Sequence, residues 1–272
     1  MSEHVVELPD GARLRYEVAG AGPTITFLHP GLWDARTWDR EFVSFAAAGF
    51  RTVRYDLRGY GRSSRPTGAP FAHHRDLIAV LDAVGVERTA LVGCSIGGSI
   101  AIDATLESPD RVSALVVVAS AAEGIEPLPE EEAWWERATE GIDEAIEDGD
   151  LPNAQDLRLG IWAPLGTQDE AGARIRAIAF DNLQDLTADE GAIEELDPAA
   201  FTRLGEVAVP TLVVLGSRDV PYLERMGLLT AAGIDGARVI TIADADHVVN
   251  LRQPAAFEAT VLPFLQASVG AG

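Results

Sequence analysis

Thr89-Ala90-Leu91-Val92-Gly93-Cys94-Ser95-Ile96-Gly97-Gly98 is the stretch on which the reading of this chain turns. Its first four residues form a short apolar run of strand character, and Gly98 to Leu106 carries a helical pattern. Between them stands G-x-S-x-G. Glycines at both positions let the backbone turn tightly where side chains would collide. The turn leaves Ser95 exposed at a helix N-terminus, where free N–H groups and the helix dipole favour developing negative charge. A strand, a tight turn and a helix in this order are the setting of a nucleophilic serine.

Outward from this turn, short apolar runs alternate with helical patterns. Val5 to Leu8 and Arg13 to Val18 flank Pro9-Asp10-Gly11, a hairpin signal. Thr24 to Leu28, Thr52 to Tyr55, Thr89 to Val92, Ala114 to Val118, Thr211 to Leu215 and Val239 to Ile242 read as buried strands. Helical patterns such as His74 to Val84 and Gln253 to Leu265 lie between most of them. Continuous β-branched runs alternating with helices predict a mostly parallel sheet covered on both faces.

One segment breaks the rhythm. Residues 123–200 contain no strand candidate and hold 22 acidic residues against 4 arginines, whereas the other 194 residues hold 21 acids and 17 arginines. Glu130 to Ile146, Asp156 to Trp162 and Glu170 to Leu186 read as helices, broken by Gly149-Asp150 and Pro164. The segment is expected to be a helical lid inserted into a core made of residues 1–122 and 201–272. Its acidity reads first as a solvated surface, and secondarily as a repeller of anionic substrates.

The formal net charge of −22 argues against nucleic-acid binding and against attraction to anionic membranes. All 21 basic residues are arginine, so no lysine is available for a Schiff base or a Walker-type phosphate loop. The single cysteine, Cys94, makes neither an internal disulfide nor a multi-cysteine metal site. Met1 to Asp10 lacks a signal-peptide pattern, and the longest apolar stretch, Val112 to Ala122, is too short to span a bilayer. No spacing suggests a metal site or a dinucleotide fingerprint. A cytoplasmic, cofactor-free protein, monomeric or homodimeric, is expected.

Further motifs join the serine turn. Phe27-Leu28-His29-Pro30-Gly31 resembles the strand-end H-G-x loop of the α/β-hydrolase fold family. Asp56-Leu57-Arg58-Gly59-Tyr60-Gly61-Arg62-Ser63 resembles its D-x-R-G-x-G-x-S segment. Gly216-Ser217-Arg218-Asp219 is similar to the loop that carries its acid, and Asp246-His247-Val248-Val249-Asn250 to its histidine loop. The resemblance spans almost the whole chain. It implies an eight-stranded sheet and a Ser…Asp…His triad formed by Ser95, Asp219 and His247.

Chemistry asks for the same three groups. A serine hydroxyl needs a base within hydrogen-bond reach, and the base needs an acid to fix its tautomer. Of His4, His29, His73, His74 and His247, only the last follows the final core strand and precedes the final helix, where the family carries its base. Asp219 follows the strand Thr211 to Leu215. Asp244 and Asp246 lie too close to His247 to orient it easily and read as loop-forming or exposed carboxylates. The oxyanion hole is expected from the N–H groups of Ile96 and Gly31, with Leu32 as fallback, since Pro30 has no N–H. The family usually has glycine at position 30, and many members have histidine at position 94. Cys94 is expected to point into the core as a small apolar side chain.

His29 is expected to shape the oxyanion loop and is also a candidate pocket residue, with Leu32, Trp33, Trp134, Trp135 and Trp162. These aromatics either pack the lid against the core or wall an apolar pocket. The expected reaction is cleavage of a small apolar ester, lactone or related carbonyl compound through an acyl-enzyme. The stretch from His29 to Asp39 is similar to the group containing enol-lactonases, carboxylesterases and cofactor-free haloperoxidases. C–C bond hydrolysis and perhydrolysis use the same triad. Ser95 argues against the epoxide hydrolases and haloalkane dehalogenases of this fold, which carry aspartate there. A non-hydrolytic ligand-binding or tailoring protein is the reading from a different class.

Overall fold

The structure, a computed structural model, describes residues 2–66, 68–187 and 193–270. β1 (Ser2–Glu7) and β2 (Arg13–Gly20) pair antiparallel across the Pro9-Asp10-Gly11 turn, where Asp10 Oδ1 accepts the Ala12 N–H at 3.0 Å. Then come β3 (Thr24–Leu28), α1 (Asp39–Ala47), β4 (Arg51–Tyr55), α2 (His73–Val84), β5 (Thr89–Cys94), α3 (Ile96–Glu107) and β6 (Val112–Val118). Helices α4 (Pro129–Ala138), α5 (Ile142–Glu147), α6 (Leu151–Trp162) and α7 (Glu170–Phe180) separate β6 from β7 (Thr211–Gly216). The chain closes with α8 (Leu223–Gly233), β8 (Arg238–Ile242), α9 (Val249–Arg252) and α10 (Pro254–Val269).

The strands form one eight-stranded sheet in the order β1-β2-β4-β3-β5-β6-β7-β8. The β1–β2 and β2–β4 pairs are antiparallel and all the others are parallel. Side chains alternate across the sheet. Leu91, Leu115, Val117, Val213 and Leu215 join a core with residues of α2 and α3 on one face. Ala90, Val92, Ala114, Val116, Val118, Leu212 and Val214 join a second core on the other face, with Phe45 of α1 and Phe257, Val261 and Leu265 of α10. Burial on both faces explains why these strands read as unbroken apolar runs. β5, buried at every residue, sits near the centre of the sheet, so Ser95 emerges at its carboxyl edge. Ligands of open α/β sheets gather at that edge.

Helices between β6 and β7 differ from the sequence pattern in their bounds; α6 starts at Leu151, before the expected Asp156, with Asp150 capping it. The expected helix from Glu130 to Ile146 is two helices, because Gly141 between them takes a left-handed φ of 83°. The expected helix from Glu170 to Leu186 ends at Phe180. There Asn182 turns inward, its Nδ2 donating to Asp34 Oδ2 at 2.8 Å and to Ile178 O at 2.9 Å. A short 3-10 turn, Leu183–Thr187, follows. Among the described residues no helix is long and apolar enough to cross a membrane.

Candidate active site

Ser95 follows β5 in a strained turn. Its φ of 53° is one of the few positive values among the non-glycine residues. Neighbouring backbone holds that conformation. The Ser95 N–H donates to Val118 O at 2.9 Å, and Ser95 O accepts from Gly98 N at 2.7 Å and Ser120 Oγ at 2.6 Å. The two motif glycines are required by contact. A Cβ on Gly93 would lie 2.1 Å from Gly97 O, and one on Gly97 would lie 2.5 Å from Leu28 O. Strand β3 therefore presses its carboxyl end directly onto the serine turn, which brings Gly31 beside Ile96.

Gly31, Leu32 and Ile96 line the same cavity as Ser95. Ile96 opens α3, where backbone donors have no acceptor within the helix. Among the described residues no acceptor takes the N–H of Gly31 or Ile96. Leu32 is held at φ 67°, a strained value for leucine. The loop is fixed from beneath by His29. Its Nε2 accepts the Leu57 N–H at 2.9 Å, so Nδ1 carries the proton and donates to Pro30 O at 2.8 Å. Complete burial pushes the His29 pKa down, which keeps this neutral tautomer. Asp56 completes the support by accepting from Ala35 N and Arg62 N at 3.1 and 3.0 Å.

His247 lies between β8 and α9, with its Nδ1 3.1 Å from each Asp219 carboxylate oxygen. Both side chains are at least 95% buried. Asp219 Oδ1 also accepts the Val220 N–H at 2.8 Å, which fixes the carboxylate plane. With Nδ1 engaged, Nε2 is the nitrogen available for proton transfer. The Trp162 ring packs on the imidazole, centroids 4.4 Å apart. Ser95 and His247 share the cavity wall, and among the described residues no hydrogen bond yet joins Ser95 Oγ to the imidazole. Such bonds are often long before substrate binds.

The acid and histidine loops lie backbone against backbone. Ser217 N donates to Ile242 O at 3.0 Å and Arg218 N to Ala245 O at 2.8 Å. A Cβ on Gly216 would meet Ala245 O and Asp246 O at 2.6 Å, so only glycine admits this approach. The Gly216 requirement went unrecognised in the sequence, because it depends on a contact with a loop about thirty residues away.

The cavity has a volume of about 570 Å³. Leu32, Trp33, Trp135 and Trp162 lie on its wall, together with Ile142 and Ile146 of α5 and Ile161 of α6. Trp33 reaches α7 directly, its Nε1 donating to Ile175 O at 2.9 Å. Two pocket candidates lie off the wall. His29 is fully enclosed beneath the loop by the two hydrogen bonds above. Trp134 packs outward against Tyr222, with centroids 5.7 Å apart. Cys94 is buried, its thiol pushed well up by loss of solvation.

Asp246 departs from expectation more sharply. It is wholly buried, because Arg252 folds back from α9 and donates Nε to both of its oxygens at 3.0 Å. Arg252 Nη2 also donates to Gly166 O at 2.6 Å, and Nη1 to Asp169 Oδ1 at 3.2 Å. This pair ties the histidine loop to the connection between α6 and α7. Asp244 is exposed, as expected. Also unrecognised in the sequence were Arg158 and Asp185, which pair at 2.9 Å on the cavity wall. Nothing local distinguishes that aspartate among the 22 acids of the segment.

A sequence model of the alpha/beta hydrolase family matches residues 26–260. The chain belongs to the alpha/beta hydrolase family. A 2-hydroxy-6-oxononadienedioate/2-hydroxy-6-oxononatrienedioate hydrolase of Cupriavidus pinatubonensis is 29% identical over 274 residues, covering 93% of this chain and 90% of that one. An epoxide hydrolase of Caballeronia sordidicola is 39% identical, but over only 110 residues, 39% of this chain and 33% of the relative. The solved structure of a hydrolase from Pseudomonas aeruginosa PA01 superimposes with a TM-score of 0.77 at 29% identity, covering 97% of this chain and 98% of that one. The alpha/beta hydrolase fold expected from the motifs is thus established, and these relatives are hydrolases. Among the described residues no group of three or more histidine, cysteine, aspartate or glutamate side chains could hold a metal ion.

Proposed function

We propose that this alpha/beta hydrolase cleaves a carboxylic ester or lactone through an acyl-enzyme, with Ser95 as nucleophile, His247 as base and Asp219 as orienting acid. One observation carries the reading: His247 Nδ1 is held by both Asp219 oxygens while Ser95 stands on the same cavity wall. His247 Nε2 takes the Ser95 proton as Oγ attacks the carbonyl carbon. The Ile96 and Gly31 N–H groups receive the oxyanion. Collapse expels the alcohol, which takes the proton from His247. Water, deprotonated by His247, then attacks the acyl-enzyme and releases the acid and Ser95.

Residues 123–200 act as a lid over this site and, with Trp33, supply the apolar wall against which a small acyl or ring group is buried. The mostly apolar lining supports a small apolar substrate. The protein is proposed to work in the cytoplasm as a monomer or homodimer, without a cofactor. C–C bond hydrolysis is the second reading, favoured by the dienedioate hydrolase of Cupriavidus pinatubonensis, similar over 93% of this chain.

Steady-state hydrolysis of a panel of p-nitrophenyl esters and lactones tests the proposal. Turnover abolished by Ser95→Ala supports it. Turnover that survives Ser95→Ala overturns it, as does a folded wild-type protein inert toward the whole panel.

A further inference from the structure

Arg158 of α6 and Asp185 of the turn at 183–187 form an ion pair on the wall of the cavity that holds Ser95 and His247. Arg158 Nη1 meets Asp185 Oδ2 at 2.9 Å and Gln155 Oε1 at 3.3 Å. Gln155 is itself fully buried, with its Nε2 donating to Ala179 O at 2.7 Å, which turns Oε1 toward the guanidinium. The guanidinium is therefore held on two sides. The Asp185 side chain is 97% buried, and its Oδ1 has no hydrogen-bond partner among the described residues.

Two physical consequences follow. A buried acceptor left without a donor is unfavourable, and more so when charged, so the site is suited to a ligand that brings a donor. Asp185 also cancels the charge of Arg158, the one guanidinium among the described residues lining this cavity. A carboxylate entering here meets a neutralised arginine and two side chains of like charge, Asp185 and Asp143. A hydroxyl or amide N–H meets an acceptor already in place.

We propose that the Arg158–Asp185 pair sets substrate specificity: it favours acyl groups carrying a neutral hydrogen-bond donor, a hydroxyl or an amide N–H, over acyl groups carrying a carboxylate. The inference rests on the ester-hydrolase reading above and adds the chemical class of the acyl group. Asp185 acts here on binding, not on the reacting atoms.

The test compares p-nitrophenyl esters of one chain length ending in methyl, hydroxyl or carboxylate. Wild-type kcat/KM is expected to be highest for the hydroxyl ester and lowest for the carboxylate ester. Asp185→Asn uncovers the Arg158 charge and should raise the carboxylate-to-hydroxyl ratio by about tenfold or more, the scale of one lost like-charge contact. Arg158→Gln should lower that ratio below wild type, since the aspartate then stands alone. This opposite sign separates specificity from a general loss of folding. Unchanged ratios in both variants overturn the proposal. Calorimetric binding of the matching anilides to Ser95→Ala protein asks the same question without turnover. If esters are not cleaved but the anilides follow the expected order, the hydrolase reading fails and the specificity assignment stands. If esters are cleaved but the order is indifferent to Asp185, the reverse holds.

Discussion

Both carboxylate oxygens of Asp219 lie 3.1 Å from His247 Nδ1, inside a pair of loops sealed by backbone hydrogen bonds. Asp219→Asn offers His247 an amide N–H as well as an oxygen. The imidazole then loses both its fixed tautomer and the charge that stabilises its protonated form. A fall in kcat of roughly a thousandfold or more is expected, with the melting temperature little changed. A variant within threefold of wild-type activity would show that the acid does not serve catalysis.

The serine turn predicts a contrast between two glycines. Gly97→Ala places a methyl 2.5 Å from Leu28 O, where both partners are backbone. A loss of at least about 3 kcal/mol is expected, because neither strand nor helix can withdraw. Gly160 lies in α6 with no atom within 4 Å of an added Cβ. Gly160→Ala should therefore stabilise the protein by about 0.5–1 kcal/mol through helix propensity. Urea unfolding of the two variants checks both signs.

Burial raises the Glu41 pKa to about 7 in the folded protein, against an ordinary value of 4.5, although Asn250 Nδ2 donates to its Oε2 at 3.2 Å. Below pH 4.5 the group is protonated in folded and unfolded chains alike, and its contribution is at its most favourable. Between about 4.5 and 7 only the folded chain keeps the proton, so stability falls as pH rises through that window. The loss is of the order of 3 kcal/mol. Asp103, also raised to about 7 by burial, acts in the same direction. Glu41→Gln should flatten part of the slope in unfolding free energy between about pH 4.5 and pH 7. An unchanged slope would contradict the assignment.

Much of this architecture was legible in the sequence because its signals are local. The β-branched runs at Thr89 to Val92 and Thr211 to Leu215 became buried parallel strands, and the serine turn reads from five consecutive residues. What escaped depends on contacts between distant segments. Asp246 looked like a loop carboxylate until Arg252 folded back onto it and onto Gly166. Asp185 carries no local mark, and its meaning comes from Arg158, which faces it from another helix. His29 and Trp134 read as pocket residues by position along the chain. Burial under Leu57 and packing on Tyr222 take them off the wall.

The Asp246–Arg252 pair gives a further prediction. Arg252→Ala leaves a carboxylate at 0% exposure without its cation. A loss of about 3–5 kcal/mol is expected in urea unfolding. Adding Asp246→Asn to that variant should restore part of it. If the double variant is no more stable than the single one, the buried charge is not the cause.

Labelling with a fluorophosphonate probe, followed by peptide mass spectrometry, asks whether His247 activates Ser95. The probe reacts with a serine only when a base activates it. Stoichiometric modification of Ser95 in the wild-type protein and none in His247→Ala is the expected result. An unmodified Ser95 in folded wild-type protein, or equal labelling in His247→Ala, would contradict it.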